Sequence, residues 1–302
     1  MPDFPQKTTL PSGYEIAFRE RETGDPDSPA ILMLHGLGDD STAWEHWTED
    51  DHVFSGWNLY AVDLPGFGSS PGLNSSTNLF PKMVELVAEF IAVKQVKHVA
   101  VVAHSMGGVI GSLYCFSLLM GRGGEIPEAW SHNSSTMPPE LSEPIPDGPE
   151  LVGFINIEGN LTSADTFVSG KAVAANESSR FTRWMAGFIE AMIRSEHDSD
   201  RRYASALLGC EKKGFLAAAQ ALLTWSELAN EKDAWCGALS KWLPINKLYI
   251  AAQDSIPAET RSWLDENKIK YEMTDPAGHF VMNDQPEKTA HLIESCLTEW
   301  NM

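Results

Sequence analysis

The sequence predicts an α/β fold, with a mostly parallel central sheet, helices on both faces and a helical segment inserted late in the chain. Three observations lead there. Short β-branched or aliphatic runs recur at 30–34, 59–62, 98–103, 151–157 and 247–251, each ending in small or polar residues, as buried parallel strands do. Helical periodicity fills most of the intervals, the pattern of βαβ units. From 161 to 243 the strand signal stops while helical spacing continues.

Along the chain, a polar, antiparallel strand pair is expected near 6–10 and 14–22, ahead of the parallel series. Between the second and third apolar runs, Val84, Val87, Ala88 and Ile91 place an apolar face at i, i+3, i+4 and i+7. Residues 121–149 are dense in Gly, Pro, Ser and Glu with little periodicity, which predicts a long surface loop or partly disordered insertion without chemistry. In the strandless stretch, Phe181, Trp184, Met185, Phe188, Ile189 and Met192 repeat at helical spacing, and further helical runs follow at 203–208 and 215–228. An alternating run at 269–274 reads as the last strand, and an apolar face at 290–297 as the last helix. The expected division is a core of residues 1–160 and 244–302, carrying the surface insertion at 121–149, and a helical subdomain at 161–243. No internal repeat is present.

Composition narrows the function classes. The chain of 302 residues is 43% hydrophobic and 21% charged, ordinary for a globular protein. Its formal charge of -20, from 42 acidic and 22 basic residues, repels polyphosphate and anionic lipid. Arg201-Arg202 and Lys212-Lys213, the longest basic clusters, sit among acidic neighbours and read as solvated helix faces. Neither a nucleic-acid nor a membrane partner is expected. The four cysteines, Cys115, Cys210, Cys236 and Cys296, form no C-x-x-C pair and no zinc spacing, so structural thiols and no metal are expected. No apolar leader opens the chain and no run of about 18 apolar residues spans a membrane, which predicts a cytoplasmic protein. The N-x-S/T matches at Asn74, Asn133, Asn160 and Asn176 are then read as chance.

The sharpest local signal is Ala103-His104-Ser105-Met106-Gly107-Gly108, directly after an apolar run and before a helical pattern at 109–120. A serine held at such a strand-turn-helix corner takes a strained backbone conformation and needs small residues two positions to either side. Ala103 and Gly107 meet that need. The plainer alternative is a serine that only caps the helix. A serine hydroxyl is a poor nucleophile unless a base, usually histidine oriented by a carboxylate, stands beside it. Asp275-Pro276-Ala277-Gly278-His279-Phe280 follows the last predicted strand, which makes His279 the candidate base. An oxyanion requires fixed donors, and His35-Gly36-Leu37-Gly38 after the first apolar run offers backbone amides beside the nucleophile. The amides of Leu37 and Met106 are the expected pair, with Gly36 and Gly38 permitting close approach.

These motifs, together with Asp63-Leu64-Pro65-Gly66-Phe67-Gly68-Ser69-Ser70, resemble in order and spacing the α/β-hydrolase superfamily, in a serine-nucleophile form with a helical cap. The resemblance covers roughly residues 6–120, 150–160 and 244–302 and says little about the rest. It implies the α/β-hydrolase fold, a structural role for the 63–68 turn, and acyl transfer through Ser105 and His279 without a cofactor. Dehalogenase and epoxide-hydrolase chemistries use an aspartate where this chain has Ser105.

Two carboxylates compete for the third position. In most members with this pattern the acid follows the strand after the cap, the slot of Asp254. A minority carry a Glu after the preceding strand, where Glu158 ends the 151–157 run. An isolated carboxylate at a buried strand end is costly unless paired, which gives Glu158 a task; the sequence leaves both as candidates. Gly36, Trp184, Met185, Phe188 and Phe280 are the candidate substrate contacts, although an apolar helix face more often packs on its own core. Asp165 is expected to steer the chain into the cap or to cap its first helix. The expected substrate is a small or medium ester, lactone or related carbonyl compound with an apolar portion. Carbon-carbon bond hydrolysis and a ligand-binding receptor with little turnover are the alternatives, and the oligomeric state is left open.

Overall fold

Strands β1 (Gln6–Thr9), β2 (Glu15–Arg21), β3 (Ala30–Leu34), β4 (Asn58–Val62), β5 (His98–His104), β6 (Glu150–Ile157), β7 (Lys247–Ala251) and β8 (Tyr271–Met273) form one sheet in the order β1-β2-β4-β3-β5-β6-β7-β8. They come from a computed structural model that describes residues 5–73, 78–127, 130 and 139–300. The first pair and β2 with β4 run antiparallel; every later pairing is parallel. This is the mostly parallel sheet the alternation predicts. Asn74, Asn133 and residues 128–129 and 131–138 of the insertion lie outside the described residues.

All five residues of β3 and of β4 are buried, because helices cover both faces; hence their uninterrupted apolar runs. Near the open edge, β2 buries only its Ile16, Ala17 and Phe18. The helices are α1 (Glu45–Thr48), α2 (Leu79–Val93), α3 (Met106–Gly121), α4 (Phe167–Glu177), α5 (Phe181–Ile193), α6 (Asp198–Gly209), α7 (Lys212–Trp225), α8 (Trp235–Trp242), α9 (Ala258–Glu266), α10 (Val281–Asp284) and α11 (Pro286–Trp300). Val84, Val87 and Ile91 are the buried face of α2, as their spacing predicts. Five helices, α4 to α8, stand between β6 and β7, the strandless stretch of the sequence.

The insertion is better fastened than its composition predicts. Ile145 N–H donates to the Ser117 carbonyl of α3 at 2.9 Å. Trp130 packs its ring against Trp235 and Trp242 of α8, with centroids 6.1 and 5.7 Å apart. Isolated apolar side chains of this kind escape a periodicity search, because they dock on another element without forming a face of their own.

Strand order positions the site. From β3 the chain moves to β4 on one side and returns past β3 to β5 on the other. Loops leaving the carboxyl ends of β3 and β5 therefore diverge, and a crevice opens between them at this switch point. Residues 35–40 and Ser105 lie there. Among the described residues no helix is long and apolar enough to cross a membrane, and no three His, Cys, Asp or Glu side chains group as a metal set.

Candidate active site

Ser105 sits between β5 and α3 with φ 53° and ψ -120°. A non-glycine residue held there costs on the order of 1–3 kcal/mol and persists only where its neighbours enforce it. Ser105 N–H donates to the Ile157 carbonyl at the end of β6 (3.0 Å), and its own carbonyl accepts from Gly108 N–H (2.8 Å). A Cβ on Gly107 would strike the Leu34 carbonyl and lie 2.8 Å from that of His35. The small residue demanded two places after the serine thus answers to the backbone of β3. Although Ser105 occupies the N-cap position, its side chain makes no capping hydrogen bond. The plain capping role is therefore set aside.

The two candidate acids differ sharply. Glu158, at φ 51° just beyond β6, is almost fully buried, with its side chain 3% exposed. Its Oε1 accepts from Ala252 N–H (2.7 Å) and the Ser255 hydroxyl (2.5 Å), and its Oε2 lies 3.3 Å from His279 Nδ1. Asp254 is exposed on the loop after β7 and does not border the cavity that holds Ser105. From that loop the strand-end carboxyl takes the Ala252 and Ser255 donors, while Gln253 N–H goes to Asp275. Of the two acids, Glu158 is the one that the fold brings to His279.

His104 steadies the same loop from beneath. Its ring is buried and its Nε2–H donates to the His279 carbonyl at 3.0 Å. Burial, reinforced by the neighbouring His279, holds its pKa well below the usual histidine value, so the ring is neutral and able to donate without adding a charge.

Across the crevice, the loop after β3 is fixed at several points. His35 Nδ1–H donates to the Gly36 carbonyl (2.8 Å), while its Nε2 accepts from Leu64 N–H (2.9 Å). Asp39 N–H also donates to the Gly36 carbonyl (3.3 Å). A Cβ on Gly36 would stand 3.1 Å from both the His104 ring and Ser105 Cβ, which explains the glycine. The amides of Leu37 and Met106 donate to no other group among the described residues.

Three side chains here escaped the sequence reading. Arg202 of α6 was expected on a solvated face; instead its guanidinium makes two 2.7 Å hydrogen bonds to the carboxylate of Asp39, whose side chain is 0% exposed. Burial alone would raise the Asp39 pKa; the guanidinium outweighs it and leaves the carboxyl below its usual range. Next along α6, the Tyr203 hydroxyl donates to the Leu37 carbonyl at 2.6 Å. A signal existed for Asp39, an acid directly after a buried strand and glycine turn. Nothing local marks its partner, 163 positions away.

Ser105, Glu158 and His279 border one cavity of about 540 Å³, ample for a small molecule. Gly36, Leu37, Phe188 and Phe280 line it as expected, joined by Phe167, Val168, Met192 and Leu222. Trp184 and Met185 do not. Trp184 stacks on Phe188, with centroids 5.4 Å apart and planes 11° apart, and Met185 packs against the core. They lie a turn too early on α5 to reach the opening. Asp165 also borders the cavity; it closes a capping box with Thr162 on the single 3-10 turn at 163–166 that leads into α4, not on α4 itself, and it accepts from Thr260. A larger hollow of about 810 Å³ between α2 and α7 contains none of Ser105, Glu158 and His279.

Comparison with known proteins bears on this geometry. A model of the Alpha/beta hydrolase family matches residues 31–292. The chain is 32% identical over 84 residues to the pimeloyl-[acyl-carrier protein] methyl ester esterase of Aeromonas salmonicida, a match covering 28% of this chain and 31% of that protein. It spans about a third of the length of the curated relatives it matches. Among solved structures, an esterase from Exiguobacterium antarcticum superposes with a TM-score of 0.67 at 16% identity, over 98% of this chain and 100% of that one. The enol-lactonase from Burkholderia xenovorans LB400 gives 0.66 at 13%, over 97% and 100%. At such identities these structures speak for the fold alone.

Proposed function

The chain belongs to the alpha/beta hydrolase family, and from that premise we propose that it is a serine hydrolase acting on small esters, lactones or related carbonyl compounds with an apolar portion. The observation that carries this reading is a strained serine sharing one cavity with a histidine whose Nδ1 lies 3.3 Å from a buried carboxyl. The methyl ester esterase that part of the chain resembles is in keeping with an acyl substrate.

The mechanism follows from the roles. His279 Nε2 takes the proton of Ser105 as Oγ adds to the carbonyl carbon. Glu158 accepts from Nδ1–H, which keeps the ring turned and stabilises the imidazolium. The oxyanion receives hydrogen bonds from the Leu37 and Met106 amides, donors whose orientation is set before the substrate arrives. Collapse returns the His279 proton to the leaving alcohol and leaves an ester on Ser105. Water, deprotonated by the same ring, then adds to that ester; the acid departs and Ser105 regains its proton. Helices α4 to α8 act as a cap, supplying Phe167, Phe188, Met192 and Leu222 as the apolar walls.

A fluorophosphonate probe tests the nucleophile. Wild-type protein is expected to label and to hydrolyse p-nitrophenyl acetate and butyrate, while Ser105→Ala does neither, with a loss of at least about 10³-fold in kcat/KM. Equal labelling of both proteins, or none of the wild type, would remove the serine mechanism. Tight ligand binding without turnover would instead favour the receptor reading.

A further inference from the structure

Arg202 and Tyr203 are consecutive residues of α6, yet both reach out of the inserted helices to the loop after β3. What they hold there is specific. In a trans peptide the N–H and the preceding C=O point in opposite directions, so fixing the Gly36 carbonyl aims the Leu37 N–H. That carbonyl accepts from His35 Nδ1–H and Asp39 N–H. Asp39 is in turn pinned by the two-pronged guanidinium of Arg202, and the peptide that follows is pinned by the Tyr203 hydroxyl on the Leu37 carbonyl. The loop also leans on this helix sterically: at Gly38, with φ 75°, a Cβ would lie 2.6 Å from Leu207 of α6 and 2.7 Å from Phe215 of α7.

We propose that Asp39, Arg202 and Tyr203 form a clamp through which α6 positions the Leu37 amide for the oxyanion, making the inserted helices part of the catalytic apparatus as well as its cover. This role rests on the reading of Leu37 as an oxyanion donor. The same two residues pack against the residue beside the base: the Tyr203 ring lies 4.9 Å from that of Phe280, directly after His279, and the Arg202 guanidinium stands 5.5 Å over the Phe280 ring. Docking of α6 therefore sets both loops together, and its loosening misaligns donor and base at once.

Tyr203→Phe removes one hydroxyl and keeps the ring. It is expected to lower kcat about 10-fold, less than loss of a whole oxyanion donor, with KM within about two-fold. The affinity for an aryl trifluoromethyl ketone, which places an oxyanion in the same hole when it adds to Ser105, is expected to fall by a similar factor. The double variant Asp39→Asn/Arg202→Met, which leaves no buried charge unpaired, is expected to behave likewise, whereas Arg201→Gln on the exposed face leaves both quantities unchanged. A merely structural clamp would lower Tm without moving kcat or ketone affinity at a temperature where the variants are folded; that result overturns the proposal, as does a rise in KM alone. An active wild type with unaffected variants sinks the clamp only. A wild type that neither hydrolyses esters nor binds the ketone sinks the serine mechanism with it.

Discussion

Ser105 and Phe188 border the same cavity but are held there by different forces. The serine is locked by backbone: its N–H is bonded to β6, its carbonyl to Gly108, and the next turn is pressed against the carbonyls of β3. Moving it means breaking a buried sheet. Phe188 rides on α5, a helix that buries only Phe181 fully, and is held by a stacked Trp184 and an edge contact with Tyr203 at 6.2 Å. Ring contacts of this kind contribute about 0.5–1.5 kcal/mol each and tolerate rearrangement. Strand ends fix groups through buried backbone bonds; the helices above shape a wall through side-chain contacts that yield more readily.

That contrast can be broken first at the acid. If Glu158 orients His279 as proposed, Glu158→Gln is expected to cut kcat by roughly 10³–10⁴-fold, the loss that removal of a triad acid brings, and Asp254→Asn to stay within about two-fold of wild type. Equal losses in the two variants, in steady-state kinetics on folded protein, would contradict the strand-end assignment.

Stability against pH probes the same floor from beneath. Burial depresses the His104 pKa, so above about pH 6.5 neither the folded nor the unfolded ring carries a proton and the residue adds no pH dependence. Below it the unfolded chain binds a proton that the folded one refuses. His104 should therefore cost stability at up to about 1.4 kcal/mol per pH unit of acidification. Urea midpoints between pH 5 and 8 should fall more steeply for wild type than for His104→Gln; parallel curves would mean that the ring takes up its proton while folded.

The smallest effect should be found in the helices. Phe188→Ala is expected to raise KM about five-fold for a butyrate ester, because part of an apolar wall is worth about 1 kcal/mol, with little change in kcat. Trp184→Ala, one turn earlier and off the cavity, should lower Tm and, by loosening the stacked Phe188, move KM less than Phe188→Ala does. If Trp184→Ala changes KM more than Phe188→Ala, the cavity wall has been drawn along the wrong turn of α5.

Legibility follows the same division. Parallel strands buried on both faces must be apolar throughout, so β3 to β7 stood out within a residue or two of their ends. Corner geometry restricts residue type, so Ala103 and Gly107 on either side of Ser105 are readable as steric requirements. The face of α5 was visible too, but periodicity says only that a face is buried and not what it meets; Trp184 and Met185 were therefore expected in a cavity that they do not line. Trp130 and Ile145, docking singly from the insertion, left no pattern at all.

From the sequence alone came the order of strands and helices, the family, and the corner that carries Ser105. Those are consequences of local rules: burial periodicity, allowed backbone angles, and the volume of a side chain at a turn. Whether Glu158 or Asp254 meets His279, and that Asp39 takes Arg202 as its partner, was decided only in three dimensions. The partners stand 121 and 163 positions apart, and no local propensity encodes a meeting that depends on strand order in the sheet and on where α6 comes to rest.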